Sequence, residues 1–222
     1  MKVLIVAPHP DDETLGCGGT LLKHRAAGDT LYWVIMTQAQ EPEWSAESIE
    51  AKAREIEKVS VAYGFGKTFR LGLPAARTDT LPLQDLITAV RDVTDQIRPD
   101  CVYVNHAGDI HSDHRVSFQA VMSAVKPFYS ARNGVRRLLS YEVLSSTDAM
   151  PASLGLSFSP SVFSDISSHV ERKLEIMALY ETEVQAYPLP RASESIRALA
   201  RTRGATVGVE HAEAFQLIRE IS

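Results

Sequence analysis

Apolar and polar positions fall in alternating blocks along the chain, and the blocks predict strands that are followed by helices. Continuous apolar runs are typical of strands buried on both faces. KVLIVA near the start and LYWVIMT at 31–37 are such runs, and three further predicted strands are KTFRLGL at 67–73, CVYVN at 101–105 and RRLLSYEVL at 136–144. Because helical patterns separate them, the sequence predicts an α/β fold with a mostly parallel, doubly wound sheet and helices on both faces.

One predicted helix has clear start and stop residues, whereas those of the final third are predicted from their pattern alone. SAESIEAKAREIEKVSVAYG has Ser45 as an N-cap and Gly64 as its stop. In the final third, which we expect to extend and cover the sheet, the pattern predicts helices over 171–184 and 212–221. The chain has 222 residues, a length that suits one domain, and we expect a single Rossmann-like domain over 1–222.

Composition places the chain among ordinary globular proteins, with 45% hydrophobic and 23% charged residues. The net charge of -5 without a basic arm argues against a nucleic-acid partner. Cys17 and Cys101 lack CxxC spacing and predict reduced, packed thiols of a cytoplasmic protein. The apolar run 3–7 is too short for a secretory signal, and no run reaches the roughly 18 residues of a membrane span. We therefore expect a cytoplasmic protein that does not bind membranes.

Two clusters of histidine and carboxylate residues follow predicted strands. The first, 9–13, comes directly after the first strand, and the second, HAGDIHSDH at 106–114, follows the fourth strand. Sites of doubly wound sheets form at the carboxyl ends of strands, beside the point where the strand order reverses. If the first and fourth strands are neighbours, both clusters lie in one crevice.

A dinucleotide site is the first alternative for the glycine-rich turn after the first strand. Gly16 and Gly18 match part of the G-x-G-x-x-G fingerprint, but Leu21 stands where the third glycine belongs. The second strand ends in Thr37 and Gln38, so the carboxylate that holds a ribose hydroxyl is missing. The acidic residues of the turn would also repel a pyrophosphate, which disfavours this interpretation.

A divalent cation explains the first cluster better, because it neutralises carboxylates that otherwise repel one another. Catalytic zinc takes three protein ligands and a water molecule, and His9, Asp12 and His114 would form such a set. Asp11 then stays free beside the metal, where a general base belongs. Taken alone, each residue could be a loop histidine or a helix N-cap. Ligation by His and Asp accepts zinc and iron alike.

The segments PHPDDE at 8–13 and HSDH at 111–114 complete a known pattern, (A/P)HPDDE followed by HxDH. In this pairing the chain resembles the PIG-L/LmbE-type deacetylases, zinc-dependent N-deacetylases of N-acetylglucosamine-containing molecules. Further similar stretches are AREIEKVSVAYGF at 53–65 (the family's Arg-x-x-Glu helix), RLGLP at 70–74 and GVEHAEAF at 208–215. The family often has Thr-Asp-Gly-Glu where this chain has TQAQ at 37–40, which leaves the substrate preference open.

The resemblance implies a role for each matching residue. The implied ligands of one zinc ion, or of Fe²⁺, are His9, Asp12 and His114. Asp11 matches the general base, His111 the histidine that stabilises the oxyanion, and Asp113 the carboxylate that orients this histidine. Arg54 matches the arginine that faces the sugar substrate.

These roles predict a hydrolase that removes an N-acetyl group from an N-acetylglucosamine-type sugar or glycoside by attack of zinc-bound water. Two alternatives stay open: a metal-dependent amidase of a non-sugar N-acyl compound, and a noncatalytic metal-binding module. The small-molecule substrate could be the precursor of a sugar-containing thiol such as bacillithiol, an N-acetylamino sugar, an antibiotic glycoside or a disaccharide. Members of the family form trimers or hexamers, so the resemblance implies a homo-oligomer whose size no residue pattern sets.

Overall fold

The computed structural model describes residues 1–151, 153–154 and 156–222 of the chain. Its strands are β1 (Lys2–Ala7), β2 (Thr30–Gln38), β3 (Lys67–Pro74), β4 (Cys101–Asn105), β5 (Arg137–Tyr141), β6 (Val162–Asp165) and β7 (Ala212–Glu220). Its helices are α1 (Asp12–Ala26), α2 (Ala46–Tyr63), α3 (Leu83–Ile97), α4 (Ser112–Ala124), α5 (Ser130–Asn133), α6 (Val170–Met177) and α7 (Ser193–Val207). No helix within these described ranges combines the length and apolar character needed to cross a membrane.

The described strands form one seven-stranded sheet in the order β3-β2-β1-β4-β5-β7-β6. Strand β1 pairs in parallel with β2 on one side and with β4 on the other. Strand β7 runs antiparallel to both of its neighbours, β5 and β6. The chain thus winds outward from β1 to β3 and then resumes at β4, which places the reversal of strand order between β1 and β4. The predicted doubly wound, mostly parallel sheet is confirmed.

Two apolar layers, one on each face of the sheet, explain the continuous apolar runs. Successive side chains of a strand point to opposite faces. In β1, Val3 and Ile5 pack into the layer that includes Ile56 and Val59 of α2, whereas Leu4 and Val6 pack into the opposite layer. Both faces of β1 therefore carry apolar side chains, and apolar and polar residues do not alternate along this strand.

The last segment of the chain differs from its prediction. The helix predicted over 212–221 is wrong, because the chain there forms β7 and pairs with strands on both sides. AEAFQLIRE has good helix formers, but hydrogen bonding to two strands outweighs a local preference of a few tenths of a kcal/mol per residue, as is common for such sequences. The helix predicted over 171–184 is shorter, Val170–Met177, and α7 was not predicted.

A buried ion pair ties α1 to the end of the chain. The carboxylate of Glu213 in β7 accepts the backbone N–H groups of Gly19 and Thr20, at 2.8 and 2.7 Å. The Nζ atom of Lys173 in α6 lies 2.7 Å from the same carboxylate and donates to the carbonyl of Leu15 at 2.9 Å. Helix α1 carries the first histidine–carboxylate cluster at its N-terminus, so this pair helps to set where that cluster lies.

We expect Lys173→Met to destabilise the fold by about 3–5 kcal/mol, the usual cost of leaving one charge of a buried pair without its partner. Thermal and urea unfolding of the variant measure this loss. The double variant Lys173→Met/Glu213→Gln removes both charges and should recover part of the stability. An unchanged unfolding midpoint in the single variant would contradict the role given to the pair.

Candidate active site

The carboxyl ends of β1 and β4 bring the two histidine–carboxylate clusters together. His9 follows β1, while His111 is the N-cap of α4 and His114 lies in its first turn. One ring nitrogen of each of these three histidines lies within 4.8 Å of the other two. The prediction that both clusters share one crevice is therefore confirmed by the neighbouring positions of β1 and β4.

Three donor atoms of the predicted ligands form a nearly equilateral triangle. His9 Nδ1 lies 3.2 Å from His114 Nε2 and 3.4 Å from Asp12 Oδ2, and the last two atoms are 3.3 Å apart. A tetrahedral ion with ligands at about 2.1 Å has ligand atoms about 3.4 Å from one another. The three residues therefore fit one Zn²⁺-sized ion, and their role as ligands stays a prediction.

The charges around this triangle favour a cation. Burial opposes protonation of His9, but the hydrogen bonds that its protonated ring donates to Asp113 and Asp12 outweigh burial and raise the pKa of His9 to about 9. Burial likewise opposes a charge on His114, and Asp12 and Asp109 raise the pKa of His114 to about 10. Burial would also keep Asp12 neutral, yet its contacts with His114 and His9 hold its carboxyl pKa far below the usual range. A buried carboxylate that stabilises protons on two imidazoles stabilises a metal ion in the same way.

A carboxylate behind each of two histidines fixes the orientation of the ring. Asp109, fully buried, has Oδ2 2.7 Å from His114 Nδ1 and accepts the hydroxyl of Thr147 at 2.6 Å. Asp113 has Oδ2 2.9 Å from His9 Nε2. Such carboxylate–histidine pairs leave the other ring nitrogen free to bind a metal.

Asp113 is itself held from the segment after β3. It accepts the backbone N–H of Ala76 at 2.7 Å and the hydroxyl of Thr78 at 2.6 Å. These contacts and His9 hold the pKa of Asp113 well below the usual range, although burial opposes this. The resemblance predicts that Asp113 orients His111, and the structure corrects this: Asp113 Oδ2 lies 4.0 Å from His111 Nδ1 and bonds to His9 instead.

His111 presents a neutral N–H group. Its Nδ1 accepts the backbone N–H of Asp113 at 3.2 Å, the cap of α4, so the proton of the neutral ring is assigned to Nε2. Burial, together with the charges of His9 and His114, lowers the pKa of His111 to about 4. A bound dication would disfavour a proton there for the same reason. His111 is therefore suited to donate a hydrogen bond as a neutral imidazole.

Asp11 lies beside the triangle with its carboxylate buried. Its backbone has a φ of 127° and donates its N–H to the carboxylate of Glu13 at 3.1 Å. The Oδ2 atom has no hydrogen-bond partner among the described residues. Burial and the charge of Asp12 raise the pKa of Asp11 well above the usual range, while Arg191 opposes them. A buried carboxylate with a raised pKa and a free oxygen suits a general base.

A cavity of about 350 Å³ opens on these groups. Its lining includes an apolar wall that consists of Ile35, Trp44, Ile49, Ala53 and Ile56. Four charged side chains that the sequence did not indicate also line it: Lys52 of α2, Arg70 of β3, and Glu183 and Arg191 of the segment between α6 and α7. Their positions, far from both motifs along the chain, carry no local pattern that would identify them.

Arg54 does not belong to the described lining of this cavity. Its side chain is 61% exposed and pairs with Glu50 one turn earlier, Nη1 to Oε1 at 2.9 Å. Lys52 lies two positions before it, about 200° around the helix, because each residue turns an α-helix by about 100°. The face of α2 toward the cavity thus carries Lys52, and the predicted substrate contact of Arg54 has no support in this placement.

We expect Asp109→Asn to weaken metal binding by about 10–100-fold, the usual effect of losing the carboxylate behind a ligating histidine. Thr147 and the ring of His114 would keep their positions, so the fold should be little changed. A competition titration with a chelating indicator measures the affinity. Asp148→Asn, one residue after Thr147, is a matched control, and equal affinities of both variants would contradict the expectation.

The family model for PIG-L, described as GlcNAc-PI de-N-acetylase, matches residues 4–125 of the chain. The chain belongs to the PIG-L family. It is 30% identical over 169 residues to the uncharacterized deacetylase YaiS of Escherichia coli K12, with 74% of this chain and 81% of that protein covered. It is 25% identical over 239 residues to the diacetylchitobiose deacetylase of Thermococcus kodakarensis, covering 98% and 83% of the two chains.

Solved structures of other proteins support the same assignment. The conserved protein TT1542 of Thermus thermophilus superimposes on this PIG-L chain with a TM-score of 0.80 and 26% identity, over 99% of this chain and 96% of that one. Both of the sequence relatives described above are named as deacetylases. The predicted resemblance is confirmed, and this PIG-L protein is an N-deacetylase, a hydrolase of amide bonds.

Proposed function

We propose that this PIG-L enzyme removes the acetyl group from an N-acetylglucosamine-type sugar or glycoside with the help of one metal ion, Zn²⁺ or Fe²⁺. The observation that carries the proposal is the triangle of His9 Nδ1, Asp12 Oδ2 and His114 Nε2, whose edges of 3.2–3.4 Å suit a tetrahedral ion. In this proposal residues 1–222 act as a single deacetylase domain of a cytoplasmic homo-oligomer. A relative that is named as a diacetylchitobiose deacetylase supports the sugar substrate.

The metal ligands, Asp11 and His111 have separate roles in the proposed deacetylation. An ion held by the triangle would lower the pKa of a water molecule to about 7 and polarise the acetyl carbonyl. Asp11 accepts the proton of the attacking water on its carboxylate and later returns it to the leaving nitrogen, because an amide nitrogen leaves readily only as a protonated amine. His111 donates its Nε2–H to the oxyanion that forms on the acetyl carbonyl.

The cavity suits a small amphipathic substrate. Its volume of about 350 Å³ is near the lower end of the range of roughly 300–1,000 Å³ for small-molecule sites. The apolar wall offers Trp44 to the C–H face of a pyranose ring, and Gln38, Lys52 and Glu183 offer polar groups to its hydroxyls. Thr37, Gln38 and Ala39 belong to TQAQ, where the chain departs from the family, and they line the cavity. Substrate preference is therefore expected to depend on this segment.

Acetate release by metal-replete protein tests the proposal directly. The substrates are N-acetylglucosamine, diacetylchitobiose, an N-acetylglucosaminide with an aryl aglycone and, as non-sugar compounds, N-acetyl amino acids. We expect release from at least one sugar, loss of release after chelation, and recovery when Zn²⁺ or Fe²⁺ is added back. Release from the amino acids alone would indicate the non-sugar amidase, and metal binding without any release would indicate the noncatalytic module.

A further inference from the structure

The segment between α6 and α7, residues 178–192, is fastened to α2 by two carboxylates. The buried side chain of Glu55 accepts the backbone N–H and the hydroxyl of Thr182, both at 2.8 Å. One turn closer to the N-terminus of α2, Lys52 Nζ lies 2.6 Å from Glu183 Oε1. These contacts set the position of the segment at the edge of the cavity.

Arg191 connects this segment to Asp11, the candidate base. Its Nη1 donates to the other oxygen of Glu183, and its backbone N–H donates to the side chain of Gln185 at 3.1 Å. Its Nε lies 3.5 Å from Asp11 Oδ2. Negative and positive groups thus alternate from Asp11 through Arg191 and Glu183 to Lys52.

The two atoms of this contact, Asp11 Oδ2 and Arg191 Nε, make no hydrogen bond elsewhere among the described residues. Each of them is buried. Burial of an unpaired donor or acceptor is unfavourable, so a contact between the two atoms is favoured over their separation. Hydrogen bonds of catalytic groups are often long before substrate binds and shorten in the complex.

We propose that Arg191 is a positioning residue: its Nε–H holds Asp11 Oδ2, and Glu183 and Lys52 hold Arg191. The proposal rests on the proposed function, in which Asp11 is the general base. Asp11 has a left-handed backbone, and its carboxylate receives no other side-chain contact that the structure describes. Without Arg191 the carboxylate can rotate away from the water that it must deprotonate.

The kinetic test compares Arg191→Gln, Arg191→Lys and Asp11→Asn with the double variant Arg191→Gln/Asp11→Asn. For Arg191→Gln we expect kcat to fall by about 10–100-fold, since a misplacement of about 1 Å costs up to about 10²-fold. KM and metal content should stay near those of the wild type. Arg191→Lys keeps the charge and should recover part of kcat. In the Asp11→Asn background the same arginine substitution should change kcat little, because the group that it positions is gone.

Arg197→Gln is the matched control. Arg197 also pairs with a glutamate, Glu171, but on the exposed side of α7 and away from the cavity lining. We expect wild-type kinetics for this variant and a small change in thermal stability. A loss of kcat equal to that of Arg191→Gln would assign the effect to general stability and overturn the proposal.

Further outcomes separate this proposal from the proposed function. A rise in KM with unchanged kcat, or additive losses in the double variant, would make Arg191 a substrate contact and overturn its positioning role. Absence of acetate release by the wild type from every sugar would overturn the proposed function alone. In that case crystal structures decide on Arg191: the Asp11 carboxylate should shift or occupy two rotamers in Arg191→Gln, and an unchanged carboxylate would overturn the proposal.

Discussion

Replacing His114 with alanine is expected to abolish metal binding and deacetylation together. The ring is 1% exposed and lies against Asp12 on one side and Asp109 on the other. Its removal deletes one of three donor atoms and leaves two buried carboxylates facing an empty space. The loss of affinity should exceed the about 100-fold that follows when only the carboxylate behind a ligand is lost. Metal content after dialysis and acetate release measure both effects.

His169→Ala is a suitable control for this experiment. His169 is the N-cap residue of α6, and its side chain makes no capping hydrogen bond. We expect this variant to keep one metal ion per chain and its activity. Full metal content in His114→Ala would show that the ion binds elsewhere, and the proposed ligand triangle would then be wrong.

Asp11→Asn should keep the metal and lose about 10²–10⁴ in kcat, the contribution of a general base. Asparagine has the same shape, so the backbone at φ 127° and the N–H contact with Glu13 can persist. The amide cannot accept the proton of the attacking water. Metal analysis and steady-state kinetics on the best substrate of the acetate-release panel measure the outcome.

Two results would contradict this assignment in different ways. Near-normal turnover of Asp11→Asn would mean that another group takes the proton. Loss of the metal would mean that Asp11 is a ligand rather than the base. Asp79→Asn, a change at an exposed aspartate of the short turn Thr78–Thr80, serves as the control.

Strands β1, β2 and β4 could be predicted from the sequence because most of their residues are buried on both faces of the sheet. That geometry requires apolar residues at every position, as in Val3 to Val6 of β1, and leaves a strong local signal. The end of the chain gave a misleading signal. AEAFQLIRE becomes a strand through pairing with β5 and β6, which are distant in sequence, and local preference carries no information about such partners.

In the candidate site, too, features with a local sequence signal could be predicted, and features that depend on distant residues could not. His9, Asp12 and His114 are close to strand ends, so their types and spacing indicated a shared crevice. Asp113 was indicated as well, but its partner was not, because the bond to His9 depends on side-chain directions across two loops. The resemblance implied that Arg54 faces the substrate, whereas the structure pairs Arg54 with Glu50 and places Lys52 in the cavity lining.

The position of β7 determines when, during synthesis of the chain, the active site can form. This last strand lies between β5 and β6, and its Glu213 bonds to α1, the helix that follows the turn with His9. During synthesis both histidine motifs leave the ribosome long before residues 212–220. A nascent chain can therefore contain every proposed ligand and still lack the support that holds them in place. We expect activity to arise only after residues 212–220 have left the ribosome and have inserted into the sheet.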